Sequence, residues 1–435
     1  MKSKMSIHDS ENNIKLDLNL GRLRVAVIGD PHFVLSEHAL ASVSHLKIDQ
    51  KGLLISTEPA FHPWAALKAL VGDAKLNADV LICAGDLSTG GDRIALASGW
   101  DHLNALGDQL SSKFVACATG NHDVVSRSKM AEATSNIVRK LGDSRGLNEY
   151  LKTLAPPYPL VDLSSKTGVQ ADQFRTNYFG NNFVLKETSN CRIVVLNSCG
   201  EHSPDNIDYE KGSFPESTRR DLLKALEATE STKFNILVCH HPPMSHGHQG
   251  ENNYDFITNG GQLLTALEEH GSWLVLHGHK HHSHLSYAQG GGRAPVVFAA
   301  ASLGAYHEKA GMGFRNQFYI IDLEHSSDED LLGTVRSWDW HHGIGYHPST
   351  RKNGGIFDSC GFGNRQSPNQ IASAIKEHCM KMPVLWSDIL AVLPELKYVL
   401  PSEYALIESV LRCRYGVAVE SDSEHNWTSL SKAVI

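Results

Sequence analysis

Five short stretches of this chain carry residues that hold cations or move protons: Asp30-Pro31-His32, Gly85-Asp86, Gly120-Asn121-His122-Asp123, His240-His241-Pro242-Pro243 and Gly278-His279-Lys280-His281-His282. Their donors are carboxylate, amide oxygen and imidazole, without thiolate. That mixture suits manganese, iron, zinc or nickel better than magnesium or calcium. Asp30 and His32 are two apart, so a kink at Pro31 lets both face one ion. Asp86 adds a carboxylate able to bridge two ions, Asn121 a carbonyl oxygen, and His240, His279 and His281 imidazoles. Seven donors exceed the need of one tetrahedral ion. Two cations roughly 3.5–4 Å apart would use them all and form a clamp for in-line displacement at phosphorus. His122 can carry a proton near neutral pH, and Asp123 can orient it or support the loop. Singly, each Asp or Asn is as well explained as a cap or turn residue after a strand. Either His240 or His241 can be the ligand of its pair, and His277 competes with His279.

Each stretch ends a run of apolar residues. Leu23–Ile28 precedes Asp30, Asp79–Ala84 precedes Asp86, Phe114–Ala118 precedes Asn121, Phe234–Cys239 precedes His240, and Trp273–Leu276 precedes His279. Such runs read as buried strands that deliver a reactive loop at their ends. Between them Pro63 opens a helix with Trp64, Leu67, Leu70 and Val71 on one stripe, and 94–110, 216–229 and 263–269 carry further amphipathic patterns. Strand, helix, strand is the grammar of α/β packing. Residues 33–61 show no period and read as a long insertion. A helix is expected over 127–155, with Arg127 placed either to neutralise a phosphate oxygen or simply to start that helix. Strands are expected over 177–186, 192–197, 295–301, 318–323 and 333–340.

The chain has 435 residues, 41% of them hydrophobic, enough for a large core. Its formal charge of -8 disfavours a broad grip on nucleic acid. Cys83, Cys117, Cys191 and Cys239 lie in or beside strand-like runs, the habit of reduced, buried thiols, and no Cys-x-x-Cys pair occurs. Residues 1–23 form a polar leader without an apolar segment, and nothing reaches the length of a membrane span. A cytoplasmic protein is the expectation. Beyond residue 345 the texture changes: Gly354-Gly355 marks a linker, and prolines punctuate short apolar-striped segments that read as a small helical appendage. Nine Lys/Arg balance nine Asp/Glu there, so it does not read as a nucleic-acid arm, and it offers a surface for oligomerisation. The expected organisation is 1–23 leader, 24–344 catalytic domain and 345–435 linker and helical region.

In order and wording, the five stretches resemble the motifs of the calcineurin-like metallophosphoesterases, over residues 24 to about 323. The resemblance implies a four-layer αββα sandwich of two mixed sheets, with the site at the strand ends. It implies that Asp30, His32 and His281 hold one metal and Asn121, His240 and His279 a second, with Asp86 bridging. It further implies two divalent or mixed-valence transition-metal ions, attack on phosphorus by a hydroxide between them, His122 as the residue that stabilises the transition state or protonates the leaving oxygen, and Asp123 as its support. The wording of the third and fourth motifs is most similar to the bacterial cyclic-nucleotide phosphodiesterase branch. Hydrolysis of a small phosphodiester is therefore the first expectation. Phosphomonoester hydrolysis and nuclease action use the same centre, and an inactive binding scaffold on this fold is the alternative outside enzymology.

Overall fold

The computed structural model describes residues 21–124, 148–165, 169–202, 210–229, 234–245, 255–306, 314–326, 330–379 and 381–433. Most of the leader, Arg127 and most of the helix expected over 127–155 lie outside the described residues.

The apolar runs become strands because each can bury both faces. In the first sheet Arg22–Ile28 (β1) runs parallel to Val80–Cys83 (β2), which runs parallel to Phe114–Cys117 (β3). Every residue of β2 and β3 is buried, as strands covered on both faces must be. Leu160–Asp162 (β4) closes that edge antiparallel to β3.

The second sheet is built around three parallel strands. Phe183–Glu187 (β5) pairs antiparallel with Cys191–Leu196 (β6), and β6, Phe234–Val238 (β7) and Trp273–His277 (β8) are parallel neighbours. Val296–Ala299 (β10) extends the parallel set from β8, and His284–Tyr287 (β9) lies antiparallel on its outer side. On the other side of β1, the first sheet continues through Asn316–His325 (β11) and Leu331–His341 (β12), both antiparallel. Both sheets are mixed, and their apolar inner faces share one core with Trp64 and Trp100.

Helices cover the outer faces. Pro63–Asp73 (α1) has its proline in the first turn, and Arg93–Gln109 (α2) is capped by Asp92, whose carboxylate accepts the Ala95 N–H at 2.9 Å. Glu216–Glu227 (α4) and Gly260–Glu268 (α5) set Leu222, Leu226, Leu263 and Leu267 against the outside of the second sheet. The four-layer arrangement of helix, sheet, sheet and helix is as expected.

Three local expectations are corrected. Residues 177–186 are not one strand: Val169–Asn181 is a helix (α3), Asn182 turns the chain with φ 62°, and only Phe183–Glu187 is extended. The segment after 344 does not begin as a linker. Gly345–Pro348 (β13) and Cys360–Phe362 (β14) hydrogen-bond to β12 and enlarge the first sheet. The C-terminal appendage is not purely helical. Pro368–Glu377 (α6), Trp386–Val392 (α7) and Tyr404–Tyr415 (α8) pack with a small sheet of Val384–Leu385 (β15), Val417–Ser421 (β16) and Trp427–Lys432 (β17), in the order β15-β17-β16. Among the described residues no helix is long and apolar enough to cross a membrane.

Candidate metal centre

Strands β1, β2 and β3 of the first sheet and β7 and β8 of the second end on the same side, and their loops are stitched together. The His32 N–H donates to Asp86 O at 2.9 Å, Gly91 N–H to His122 O at 2.8 Å, and Gly278 N–H to His240 O at 3.0 Å. The two sheets are joined at the site itself, because the His279 N–H lies 3.1 Å from both carboxylate oxygens of Asp30.

The loops turn sharply enough to aim side chains inward, and the backbone bears the cost. Asp30, His32, Asp86, His279 and His281 all have φ between 38° and 74°. Non-glycine residues pay about 1–3 kcal/mol each for such conformations, which persist only where the surroundings impose them. Close approach explains two of the motif glycines. A Cβ on Gly120 would stand 2.0 Å from Asp86 Oδ1, and one on Gly278 would stand 2.6 Å from Asp30 Oδ1.

All seven expected donors converge. One donor atom from each of Asp30, His32, Asp86 and His281 lies within 4.8 Å of the others, with the two Nε2 atoms of His32 and His281 only 2.9 Å apart. Asn121 Oδ1 stands 3.0 Å from His240 Nε2 and 3.2 Å from His279 Nδ1, and those nitrogens are 3.3 Å apart. Asp86 lies between the two groups: its Oδ2 is 3.6 Å from His32 Nε2 and 3.4 Å from His240 Nε2, while its Oδ1 accepts the His122 N–H at 2.8 Å.

Hydrogen bonding alone does not account for this packing. His240 Nδ1 is 2.9 Å from Ala84 O and donates its proton there, so Nε2 turns a lone pair toward Asn121 Oδ1, itself an acceptor. Acceptors that meet head-on inside a protein call for a cation between them. Electrostatics agree. Burial, then the nearby Asp86 carboxylate, holds Asp30 well above the usual carboxylate range, and burial lowers His240 to about 4. Desolvation and the neighbouring imidazoles of His241 and His240 push His279 well below its usual value. The depressed imidazoles already carry the lone pairs that a divalent cation binds, and such a cation would reverse the carboxyl shift by favouring ionised Asp30. The donor set therefore fits two metal ions.

His122 is half-buried, its ring edge-on to that of His32 with centroids 4.9 Å apart. Asp123 is fully buried, and both its oxygens serve the loop: Oδ1 accepts the Ser88 N–H at 2.9 Å and Oδ2 the Gly120 N–H at 3.0 Å. Sequence reading missed other supports. Tyr178 on α3 accepts the Thr119 N–H at 3.0 Å, just before Gly120, and Ser302 donates to Asp30 O at 2.7 Å. Neither has a local signal, because each is far away in the chain. His277 is buried behind the site, 3.0 Å from Gly278 O through Nδ1, and His241 turns toward Ser198, whose Oγ is 2.9 Å from its Nδ1. One residue beyond His281, a cleft of about 630 Å³ opens between the second sheet and the C-terminal unit, lined by His282, His284, Arg351, Lys352, Tyr404 and Trp427.

A family model for the calcineurin-like phosphoesterases matches residues 23–283, more than half of the chain. The protein belongs to that family. A second model, wHTH-Calcineurin_assc, matches residues 360–412, a segment that spans β14, α6, β15, α7 and most of α8. Similar solved structures include Vps29 of Chaetomium thermophilum, 13% identical over 75% of this chain and 95% of that one, with a TM-score of 0.29. A cold-active protein-tyrosine phosphatase of the psychrophile Shewanella sp. is 12% identical over 72% of this chain and 77% of that one, also with a TM-score of 0.29. Neither likeness is close enough to bear on activity. No curated protein matches the chain.

Proposed function

We propose that this metal-dependent phosphoesterase is a phosphodiesterase acting on a small diester, with Asp30, His32 and His281 holding one cation, Asn121, His240 and His279 a second, and Asp86 shared by both. The observation that carries the assignment of ligands is the position of Asp86 Oδ2, 3.4–3.6 Å from an imidazole nitrogen of each group. When bound, two divalent cations supply Lewis acidity to the ester oxygens and to the attacking water. The chain's own residues supply the rest. Asp123 fixes the loop, Asp86 holds the His122 backbone, and the half-buried His122 ring, edge-on to that of His32, is the group that delivers a proton to the departing oxygen.

Among the described residues, the pairing of the cation embedded in the motifs supports a diester. A phosphomonoester dianion calls for an extra cationic side chain, as fork-shaped arginines provide elsewhere. The cation embedded in the motifs, Lys280, is spent on an ion pair with Asp255. The cleft beyond His281 has the size of a small-ligand site and not of a duplex groove. The cysteines, seven buried and all unpaired, suit a reducing compartment, and we place the protein in the cytoplasm on that ground.

Turnover of an aryl phosphodiester and of the matching phosphomonoester by protein reconstituted with manganese, zinc or iron tests the reading. The expected result is a kcat/KM at least ten-fold higher on the diester. The reverse order makes it a monoesterase. A folded protein with both metals bound and no turnover of either makes it a scaffold.

A further inference from the structure

Three donor-bearing side chains stand beside the centre without belonging to either of its donor groups. Cys199 follows β6 and His241 follows β7, and these strands are parallel neighbours in register, Val195 opposite Val238. Both residues therefore emerge on the side of the sheet that bears the metal centre. A tight turn then brings in His202, whose N–H donates to Cys199 O at 2.9 Å. Sγ of Cys199 and one nitrogen from each of His202 and His241 lie within 4.8 Å of one another.

The protonation of His202 is informative. Its Nε2 is 2.7 Å from Lys211 O and donates to it, which leaves the lone pair on Nδ1. That atom is buried, in a residue only 9% exposed, and has no hydrogen-bond partner among the described residues. A ring nitrogen bonded to a backbone carbonyl, with the opposite nitrogen bare, is how metal-bound histidines are oriented. Cys199 Sγ lies 3.8 Å from His241 Nδ1, and the rings of His202 and His241 meet edge to face with centroids 5.3 Å apart.

We propose that Cys199, His202 and His241 form a third cation site, distinct in chemistry from the dinuclear centre because it contains a thiolate. One thiolate and two imidazoles suit a borderline-soft ion of the zinc class, with the fourth position left to water or a substrate oxygen. Typical Zn–S and Zn–N bonds of about 2.3 and 2.1 Å place donors roughly 3.5 Å apart, so binding draws the three together by side-chain rotation. As the Zn–S bond forms, the S–H proton leaves to solvent. The site then clamps the loop after β6 to the His240-His241 loop. The His241 ring is also 4.6 Å from that of His279, so the third ion shares a wall with the second donor group. The competing arrangement is a plain buried thiol: in the cation-free geometry Cys199 Sγ donates to Thr119 O at 3.2 Å.

Cobalt(II) distinguishes the two, because a thiolate ligand gives a near-ultraviolet charge-transfer band that imidazole and carboxylate ligands lack. The exposed Cys413 is replaced by serine in every sample to remove its thiol. The expected result for the full chain is a saturable band and three equivalents of metal, falling to two equivalents without the band in Cys199→Ser. Asp86→Ala retains the band while losing metal from the dinuclear centre, so failure of this site and failure of the proposed phosphodiesterase centre read out separately. His202→Gln, which keeps a polar side chain at that position, is the second variant should Cys199→Ser not fold, and weakens cobalt binding at the band at least ten-fold. Absence of the band in folded protein, or its persistence in Cys199→Ser, overturns the proposal.

Discussion

The strand-end loops and the C-terminal unit obey opposite rules. In the loops, five of the seven proposed cation-holding residues have left-handed backbone, and buried carboxylates and imidazoles crowd together with lone pairs facing each other. In the C-terminal unit, local preferences are met. Ser367 and Gln370 form a reciprocal capping box, Pro368 opens α6, and Gly416 ends α8 at φ 62°. Arg351 lies over the rings of Phe357, Tyr404 and Trp427, tying that unit to the first sheet. The contrast shows where folding energy is spent. Several kcal/mol of strain and desolvation are held in the loops by the surrounding core, and among the described residues the C-terminal unit shows no such concentration.

The largest effect expected is at Asp86. Asp86→Ala removes the carboxylate shared by the two donor groups, so metal content falls and turnover drops by about three orders of magnitude. The comparison adds a sharper expectation. Loss of Asp86 also removes a charge that disfavours ionised Asp30, which offsets the lost hydrogen bond from the His122 N–H, so the metal-free variant melts close to metal-free wild type, and metal raises its Tm by less than it raises that of wild type. Full metal occupancy in Asp86→Ala would end the bridging assignment. Beside it, His122→Asn keeps both metals and loses about 10²–10⁴ in turnover, more on poor leaving groups than on activated aryl esters. Equal loss on both would make His122 an electrostatic stabiliser and not an acid.

Leu411 is the mirror test in the other region. Its side chain is fully buried in α8, so Leu411→Ala leaves a cavity costing about 2–5 kcal/mol. Denaturant unfolding should show that loss with metal content and turnover per folded molecule unchanged. Loss of metal from the folded variant would mean that the C-terminal unit helps to hold the centre, and the two regions would have to be treated as one.

The centre was legible in the sequence because each motif is local: an apolar run, then donors within four residues. That signal survives without knowledge of packing. What escaped was decided at a distance or by one backbone angle. Asn182, left-handed, passes the chain from α3 into β5 without an intervening loop, so the run from Asn177 reads as continuous strand. Strands β13 and β14 are short and acquire their identity only by pairing with the long edge of β12. Strands β16 and β17 alternate apolar and polar residues too briefly to compete with the helical pattern before them. Cys199 and His202 stand some forty residues from His241, and only the parallel pairing of β6 and β7 brings them together.

The smallest effect separates burial from metal duty within the catalytic domain itself. His62, at the start of α1, is buried like the metal-centre imidazoles but holds no place among their donors. Its Nε2 lies 3.2 Å from Lys47 O, and burial lowers its pKa from 6.5 to about 4. Because the folded value is depressed, the unfolded chain binds the proton more readily between pH 6.5 and 4. Stability is therefore complete above pH 6.5 and declines as pH falls toward 4, by roughly 1.5–2 kcal/mol between pH 6.5 and 5 for this one group. Other buried histidines titrate in the same range, so the measurement is a difference: urea unfolding of wild type and His62→Gln at both pH values, metal-free. The variant should lose about that much less on acidification. Identical slopes would mean that His62 is already protonated in the folded protein, and that burial alone does not force an imidazole of this fold to stay neutral.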